Sequence, residues 1–532
     1  MTLAPRFLVN LLANYRVRRL RSRLKAKENG AKPQQATLHS LLAHQRNTAF
    51  GKEHKFAEIK NYDDFRTRVP LRTSAEFRSW VERMAAGEAD VLWPGRCRFF
   101  VYTAGTVDGT PKLLPATADM LRHFRGAISD GLLLHASRAG HTKIFGGLHL
   151  HVGASTALSS ANGAYAGYLE AVAAVTLSEW SAKNIYAPQP ELARLPEGPE
   201  KTAAIATQFA ARDVRVVVGT PTALIILADT VRQQASTGPK AAPNLQAIWP
   251  HFECTVHTGA PLGLLAPDLQ AAVGPDATLH EVYSAAEGIF AVQDGAPDAG
   301  LRLSVDAGIF FEFLPLHDLP PLPLAKLGSR CIPLEKAEAG VNYSLVVSTP
   351  AGLCRCVVGD SVRFISTRPP RLMVTGRTEL ALNSFGEQVT ERMLTETLLE
   401  VCARNLWKPV NFHVAPYLLR AVPRLHGCHE WWIELRPGTV RTPTGPVLAD
   451  ELDAELSRRD RDYSTCRANG VMAAPIVRLV MPGLFTQWSE AHPVYGGGGK
   501  LTCCRNDRLV ADQLAGIAKF HSETQSPFFH SR

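Results

Sequence analysis

Residues 98–112 read Arg98-Phe-Phe-Val-Tyr-Thr-Ala-Gly-Thr-Val-Asp-Gly-Thr-Pro-Lys112. The first five, aromatic and β-branched, predict a buried strand. Thr103 to Lys112 are turn formers, and from about Ala118 the spacing of Leu121, Phe124, Ile128 and Leu132 predicts a helix. Strand, glycine–threonine loop and helix together make an arrangement that can receive an anion. Glycines let the backbone approach closely, and free N–H groups and hydroxyls donate to phosphate oxygens. The Gly-Lys-Ser/Thr order of a Walker loop is missing. Taken alone, the stretch reads first as a surface turn and second as a phosphate site.

Outward from this stretch the alternation continues. Val214–Val218 predicts a strand, and Thr220-Pro221 supplies a cap and a first-turn proline for a helix reaching about Gln234. Strand-like pieces follow at Leu245–Ile248, Thr255–His257 and Leu279–Tyr283. Upstream, Leu38, Leu41 and Leu42 mark a short helix, and Thr73 with Glu76 forms a capping box before Phe77, Trp80, Val81 and Met84. The fold class expected is α/β with a largely parallel sheet. After about Asp306 the texture turns to short strands: Ile309–Leu314, Tyr343–Ser348, Leu353–Val358, Val362–Ser366 and Leu372–Thr375, with Gly359-Asp360 at a turn. These suggest a small β-barrel or sheet attached to the core. From about Gly386 a helix (Glu391–Arg404), strands at Val410–Val414 and Trp431–Leu435, a helix near Ala449–Ser457 and a strand at Ile476–Val480 predict a smaller, mobile α+β domain. The organisation expected is a basic arm (1–35), a large domain (36–385, β-rich from about 306) and a C-terminal domain (386–532).

Composition narrows the function classes. The chain has 532 residues, 45% hydrophobic and 20% charged, enough apolar content for two to four domains. The longest apolar run, Val214 to Leu227, is broken by Arg215, Gly219 and Pro221, too soon for a membrane span. Residues 1–28 carry +7 of the net +9, leaving about +2 on the other 504, which argues against a nucleic-acid partner. The basic arm reads as a helix with an apolar stripe of Phe7, Leu8, Leu11, Leu12 and Tyr15. It is expected to dock by that stripe, with a weak peripheral membrane contact as the second reading. The charge follows the apolar part, unlike a signal peptide. Ten cysteines form no CxxC pair and predict reduced thiols in a cytoplasmic protein. His149 and His151 share one face of a strand and read as packing residues. Cys503-Cys504 reads as incidental rather than redox-active.

Four features carry chemistry together. Besides the loop, Tyr283-Ser-Ala-Ala-Glu-Gly288 follows a strand, and its Glu287 could hold magnesium, a hard cation that prefers carboxylate oxygens. Asp360 is a candidate for ribose hydroxyls. Gly496-Gly-Gly-Gly-Lys500 could swing a point charge onto a phosphate. Phe65-Arg-Thr-Arg-Val-Pro70, Val91-Leu-Trp-Pro-Gly95, Val341-Asn-Tyr, Gly359-Asp-Ser-Val-Arg-Phe364, Thr375-Gly-Arg377, Asn383-Ser-Phe-Gly-Glu387 and Asn506-Asp-Arg508 complete a series. In this order the blocks resemble the auxin-responsive acyl-acid amido synthetases, the Gretchen Hagen family of the adenylate-forming ligases. The resemblance runs from about Thr37 to Leu514 and looks closest to the bacterial branch.

That resemblance implies an ATP- and Mg²⁺-dependent reaction. A small carboxylic acid is adenylated, and its acyl group is then passed to an amine, usually an amino acid. It implies that Thr103, Gly105, Thr106 and Gly109 line the phosphates, Tyr283 flanks adenine, Glu287 holds magnesium, Asp360 binds ribose and Lys500 reaches the phosphates. Arg377 would lie near the hinge, and Leu121–Leu132 with Val218–Leu224 would wall the acyl pocket. The chain departs from the family pattern at Ala104, Val107 and Asp108 in the loop, and at Ala286, Cys356, Glu379, Thr502 and Cys503. The alternative these departures raise is a catalytically degenerate relative acting as a binding or regulatory protein.

Overall fold

The computed structural model describes residues 6–103, 112–235, 242–258, 262–316, 323–378, 382–387, 389–419, 426–436, 443–492 and 502–524. Contacts divide the chain into two compact units, the first reaching Val374 and the second formed by Thr375 onward together with Leu262–Ala266.

The first unit is organised by a 13-stranded sheet. Its main path runs Ile332–Pro333, Phe310–Pro315, Asn342–Ser348, Cys356–Thr367, Pro370–Arg377, Leu301–Leu303, Gly288–Gln293, Thr278–Ala285, Cys254–His257, Val214–Gly219, Leu148–His151 and Tyr186–Ala187. The last strands are parallel to one another, whereas the strands on the other side pair antiparallel. The α/β part and the β-rich part therefore share one hydrogen-bonded path. The strand that joins them is Thr278–Ala285. Thr278 to Glu281 pair in parallel with Cys254–His257, and Val282 to Ala285 pair antiparallel with Gly288–Val292.

Local sequence explains the main helices. Thr117 caps Ala118–Ala139, its Oγ1 accepting from Met120 N at 3.1 Å, and the helix buries Met120, Leu121, Phe124, Ala127 and Leu133. Ile128 was expected on that inner face but is 45% exposed. The capping box at Thr73 and Glu76 is present, and Phe77, Val81 and Met84 are buried behind it.

A buried ion pair ties the unit's front. The Arg355 guanidinium, fully buried, donates to Glu312 and to the carbonyls of Arg66, Val69 and Gly328 at 2.7–3.1 Å. Tyr62 OH donates to the same Glu312 carboxylate at 2.8 Å. Four partners on three segments satisfy the guanidinium, the condition under which a buried pair is tolerated.

Three local expectations are corrected. Leu245–Ile248 is a helical turn, not a strand, because the Asn244 side chain accepts from Ala247 N at 3.1 Å and caps it. Cys356–Val358 and Val362–Ser366 belong to one strand, Cys356–Thr367, whereas Leu353–Arg355, expected in the first piece, precede it and end in a bend. Gly359-Asp360 is accordingly a bulge inside a strand rather than a turn between two. Ser344 pairs with Ser361 and Val346 with Val357, so three residues face Leu345 alone, and Gly359 accepts the bulge at φ 88°. Finally, the N-terminal helix, Arg6–Ala26, docks through Ala13, Val17 and Leu20, whereas Leu11, Leu12 and Tyr15 are exposed. Its inner face is offset from the stripe read in the sequence, because small Ala13 permits closer approach than Leu11 or Leu12.

The second unit carries a three-stranded sheet, Pro409–Leu419, His426–Leu435 and Ile476–Val480, antiparallel then parallel. Helices Glu391–Arg404 and Gly445–Arg459 bury Leu394, Leu398, Leu448 and Leu452 in the core that holds Trp431 and Ile433. All ten cysteines are free thiols. Among the described residues no helix is long and apolar enough to cross a membrane.

Burial lowers His123, His149 and His257 to about 4 and His151 and His280 to about 3. His149 and His151, the pair read as packing residues, do pack: His149 Nε2 lies 3.0 Å from Ile144 O, and His151 rests against the Tyr186 ring. These folded values lie below the unfolded one, so their stabilisation is present above about pH 6.5 and is lost as pH falls toward the folded values. For a group at about 4 the loss by pH 5 is roughly 2 kcal/mol. Urea denaturation at about pH 7.5 and pH 5 should show a marked fall in midpoint; an unchanged midpoint would mean the rings are protonated in the folded protein.

Candidate functional site

The phosphate-loop candidate rises from a hairpin. Phe99–Tyr102 and Leu113–Pro115 pair antiparallel, Val101 opposite Leu114. Thr103 N donates to Lys112 O at 2.8 Å, and Lys112 N donates to Thr103 Oγ1 at 2.9 Å. Thr103 is thus the neck of the loop, its oxygen engaged by Lys112 while its O–H can still donate. Gly105, Thr106 and Gly109, with Ala104, Val107 and Asp108, lie outside the described residues.

Tyr283 and Asp360 are brought together. Tyr283 OH donates to Asp360 Oδ2 at 2.8 Å, and both residues are buried. Tyr283 sits in the antiparallel part of its strand, two residues past the last parallel pair and next to a register shift, and its ring meets Phe290 edge-on at 5.1 Å. Asp360 is presented by the bulge at Gly359. A carboxylate offers about four acceptor positions, the chemistry by which such a group can accept from hydroxyl donors.

Glu287 occupies the turn between Thr278–Ala285 and Gly288–Gln293 and is 7% exposed. Gly288, at φ 154°, lets the turn pack where a Cβ would meet Ile309 Cδ1 at 2.4 Å. Behind it, His123 donates from Nδ1 to Ala307 O (2.7 Å) and accepts from Ile289 N with Nε2 (3.0 Å). Burial keeps that ring neutral, which suits one donor and one acceptor. Cys356 is also near. Burial, and then the Glu287 charge, push its thiol well above the usual range. Among the described residues no group of three His, Cys, Asp or Glu is arranged to hold a metal. A divalent cation at Glu287 would draw its other ligands from phosphate oxygens and water, as magnesium commonly does.

In the second unit, Arg377 ends the strand that begins at Pro370. Its N donates to Glu391 Oε2 at 3.2 Å, and Glu391 Oε1 accepts from Cys503 N at 3.3 Å. Gly376 is required there: at φ 136° a Cβ would press on Glu391 at 3.1 Å. Lys500 and Glu379 lie outside the described residues. The segment after the lysine is held, with Thr502 O facing His413 Nδ1 at 2.8 Å and Cys503 O accepting from Val414 N at 2.8 Å. Burial, then Glu391, raise both Cys503 and Cys504 thiols, which keeps them protonated. Two sequence blocks also meet: Asn383 N and Ser384 Oγ both donate to Asn506 Oδ1 at 2.9 Å.

His123 and Glu391 were missed in the sequence. His123 sits inside a regular helical run, and Glu391 reads as an ordinary acid in a helix's first turn. The one available signal for Glu391 was its position shortly after Thr375-Gly-Arg377.

The architecture is that of the adenylate-forming ligases. A solved structure described as AtGH3.15 acyl acid amido synthetase in complex with 2,4-DB matches with a TM-score of 0.70 at 17% identity, covering 94% of this chain and 96% of that one. A 2-hydroxyisobutyryl-CoA ligase in the postadenylation state matches with a TM-score of 0.55 at 15% identity, covering 91% and 92%. Family models match in order: GH3 family N-terminal domain over 19–139, central domain over 303–377 and C-terminal domain over 395–508. The chain belongs to the GH3 family. A probable indole-3-acetic acid-amido synthetase GH3.12 of Oryza sativa subsp. japonica is 22% identical over 594 residues, covering 94% of this chain and 95% of that protein. Two shorter alignments, to the probable synthetases GH3.2 and GH3.9 of the same plant, are 27% and 26% identical, cover 34% and 49% of this chain, and span only 30% and 60% of those proteins.

Replacing Tyr283 with phenylalanine removes one donor from a buried carboxylate. The variant should lose about 1.5–3 kcal/mol in chemical denaturation; a loss below about 0.5 kcal/mol would show that water replaces the phenol without cost.

Proposed function

We propose that this chain is an ATP-dependent acyl-acid amido synthetase of the cytoplasm, joining a small carboxylic acid to an amine, most naturally that of an amino acid. The observation that carries the reading is the buried Tyr283–Asp360 pair beside the Glu287 turn. The activities for which the rice relatives are named point the same way.

The acid's carboxylate attacks the α-phosphorus of ATP, forming an acyl–phosphate bond and expelling pyrophosphate. The amine then attacks the acyl carbon, the C–O bond to phosphate breaks, and AMP leaves with the electron pair. Tyr283 flanks the adenine while Asp360 accepts from the ribose hydroxyls. Thr103, Gly105, Thr106 and Gly109 donate to the phosphates. Glu287 would supply one oxygen to magnesium, and the ion would neutralise phosphate charge. Lys500 adds positive charge where the leaving pyrophosphate develops negative charge, and Arg377 marks the hinge between domains. Leu121–Leu132 and Val218–Leu224 wall the acid.

The altered loop sets the expected strength of nucleotide binding. Each hydroxyl lost from a charged phosphate costs roughly 1.5–3 kcal/mol, and Asp108 at about 5 Å with an effective dielectric near 20 would add roughly 3 kcal/mol. Binding is therefore expected to be weak, and magnesium would offset part of the aspartate's repulsion.

Calorimetry with magnesium ATP, with a mixed pool of carboxylic acids present, should give heat that Asp360→Ala abolishes. With acid and amino acid panels, wild type should release pyrophosphate and AMP. Glu287→Gln and Lys500→Ala should each lower turnover by about 10- to 100-fold, the equivalent of roughly 1.5–3 kcal/mol. Saturable ATP binding without pyrophosphate release from any acid would favour the degenerate, binding-protein reading. No binding at all would sink both nucleotide roles.

A further inference from the structure

The N-terminal helix presents to solvent Leu11, Leu12 and Tyr15, three of the apolar residues expected to dock it. Its rotation is settled by the contacts it makes with the Ala118–Ala139 helix. Ala13, Val17 and Leu20 are buried, Arg16 Nη2 donates to Ser129 Oγ at 2.9 Å, and Arg21 donates to Ser137 Oγ and O at 2.6 Å. Further along, Arg23 pairs with Asp130, and Lys27 with Asp306 at 3.0 Å. Held this way, Leu11, Leu12 and Tyr15 are 65%, 59% and 60% exposed. Arg18 and Arg19, seven positions beyond Leu11 and Leu12, continue the same outward face and are exposed, as is Lys25. Beside Leu12 lies an open apolar recess of about 320 Å³, bounded by Val9, Phe145, Ile185 and the half-exposed Trp180.

We propose that this face docks the protein on an anionic bilayer surface. Leu11, Leu12, Tyr15 and Trp180 seat at the boundary between headgroups and acyl chains, and Arg18, Arg19 and Lys25 contact the lipids' negative groups. Charge complementarity argues for it: residues 1–28 carry +7 against about +2 on the rest of the chain, and with Arg23 and Lys27 paired to Asp130 and Asp306, Arg18, Arg19 and Lys25 still face outward. The residue types argue for it too, since tyrosine and tryptophan favour the membrane interface and leucines supply the insertion. The outward face offers apolar bulk and guanidinium and ammonium donors, which suit lipid phosphates and carboxylates, but few acceptors. Asn14, the amide nearest to it, is turned to Asn10 O and Thr142. A specific protein partner would be read through such groups; a lipid surface needs none.

Flotation of the full chain with phosphatidylcholine vesicles, with and without about 30 mol% phosphatidylserine, tests this. Wild type should float with the anionic vesicles alone and be released by salt at about 0.5 M. Both L11S/L12S/Y15S and R18E/R19E should reduce the bound fraction at least about 10-fold, with unchanged circular dichroism. Leu406→Ser, at an equally exposed leucine elsewhere, should float as wild type does. Equal binding to both vesicle types, or undiminished binding by either variant, overturns the proposal. A wild type that stays soluble with anionic vesicles at low salt also overturns it, in favour of an acidic protein partner.

Discussion

The hydrogen bond between Tyr283 and Asp360 constrains the first unit more than any other. Along the sheet their strands are separated by three others, Gly288–Gln293, Leu301–Leu303 and Pro370–Arg377. Four strand spacings of about 4.8 Å would hold them roughly 19 Å apart in a flat sheet. A 2.8 Å contact between their side chains is possible only if the sheet curls back on itself. The curl is produced by identifiable devices: a strand that changes from parallel to antiparallel partners at Glu281–Val282, a register shift beside Tyr283, and the bulge at Gly359. Each increases local twist. The concavity that gathers candidate nucleotide residues is thus a property of strand pairing.

Around that concavity, buried polar groups act as fixings. Arg355 and Glu312 fasten the Tyr62–Arg68 helix and the segment at Gly328 to the strand that carries Asp360. His123 fastens the Glu287 turn to a helix through two hydrogen bonds of opposite sense. In the second unit Glu391 does the equivalent between Arg377 and Cys503. All three fixings join residues more than ten positions apart and engage backbone groups. They position functional elements without depending on which side chains those elements bear. A family can therefore keep the geometry while drifting in sequence, consistent with a TM-score of 0.70 at 17% identity.

Much of the fold was legible because periodicity and capping are local. The helices Glu391–Arg404 and Ala118–Ala139, the strand Ile476–Val480 and the box at Thr73 could be read directly. What failed was decided by a competing neighbour. Asn244 turned an apolar run into a helical turn, Gly359 extended one strand through a presumed turn, and Ala13 set the face on which the first helix rests. Candidate site residues were legible one by one, as residue types in motifs. The pairing of Tyr283 with Asp360 was not, because it depends on sheet curvature that no window of sequence contains. The sequence likewise carried no trace of His123 as a support, since its helix would look the same with any polar residue there.

The neck at Thr103 and Lys112 has an evolutionary consequence. Two backbone-anchored bonds close the loop at its base, so the hairpin register does not depend on the eight residues between them. Those eight form a cassette. Substitutions inside it leave Val101 opposite Leu114. Under the nucleotide role proposed for this segment, a lineage could rewrite its affinity for phosphates, in either direction, without first risking the fold.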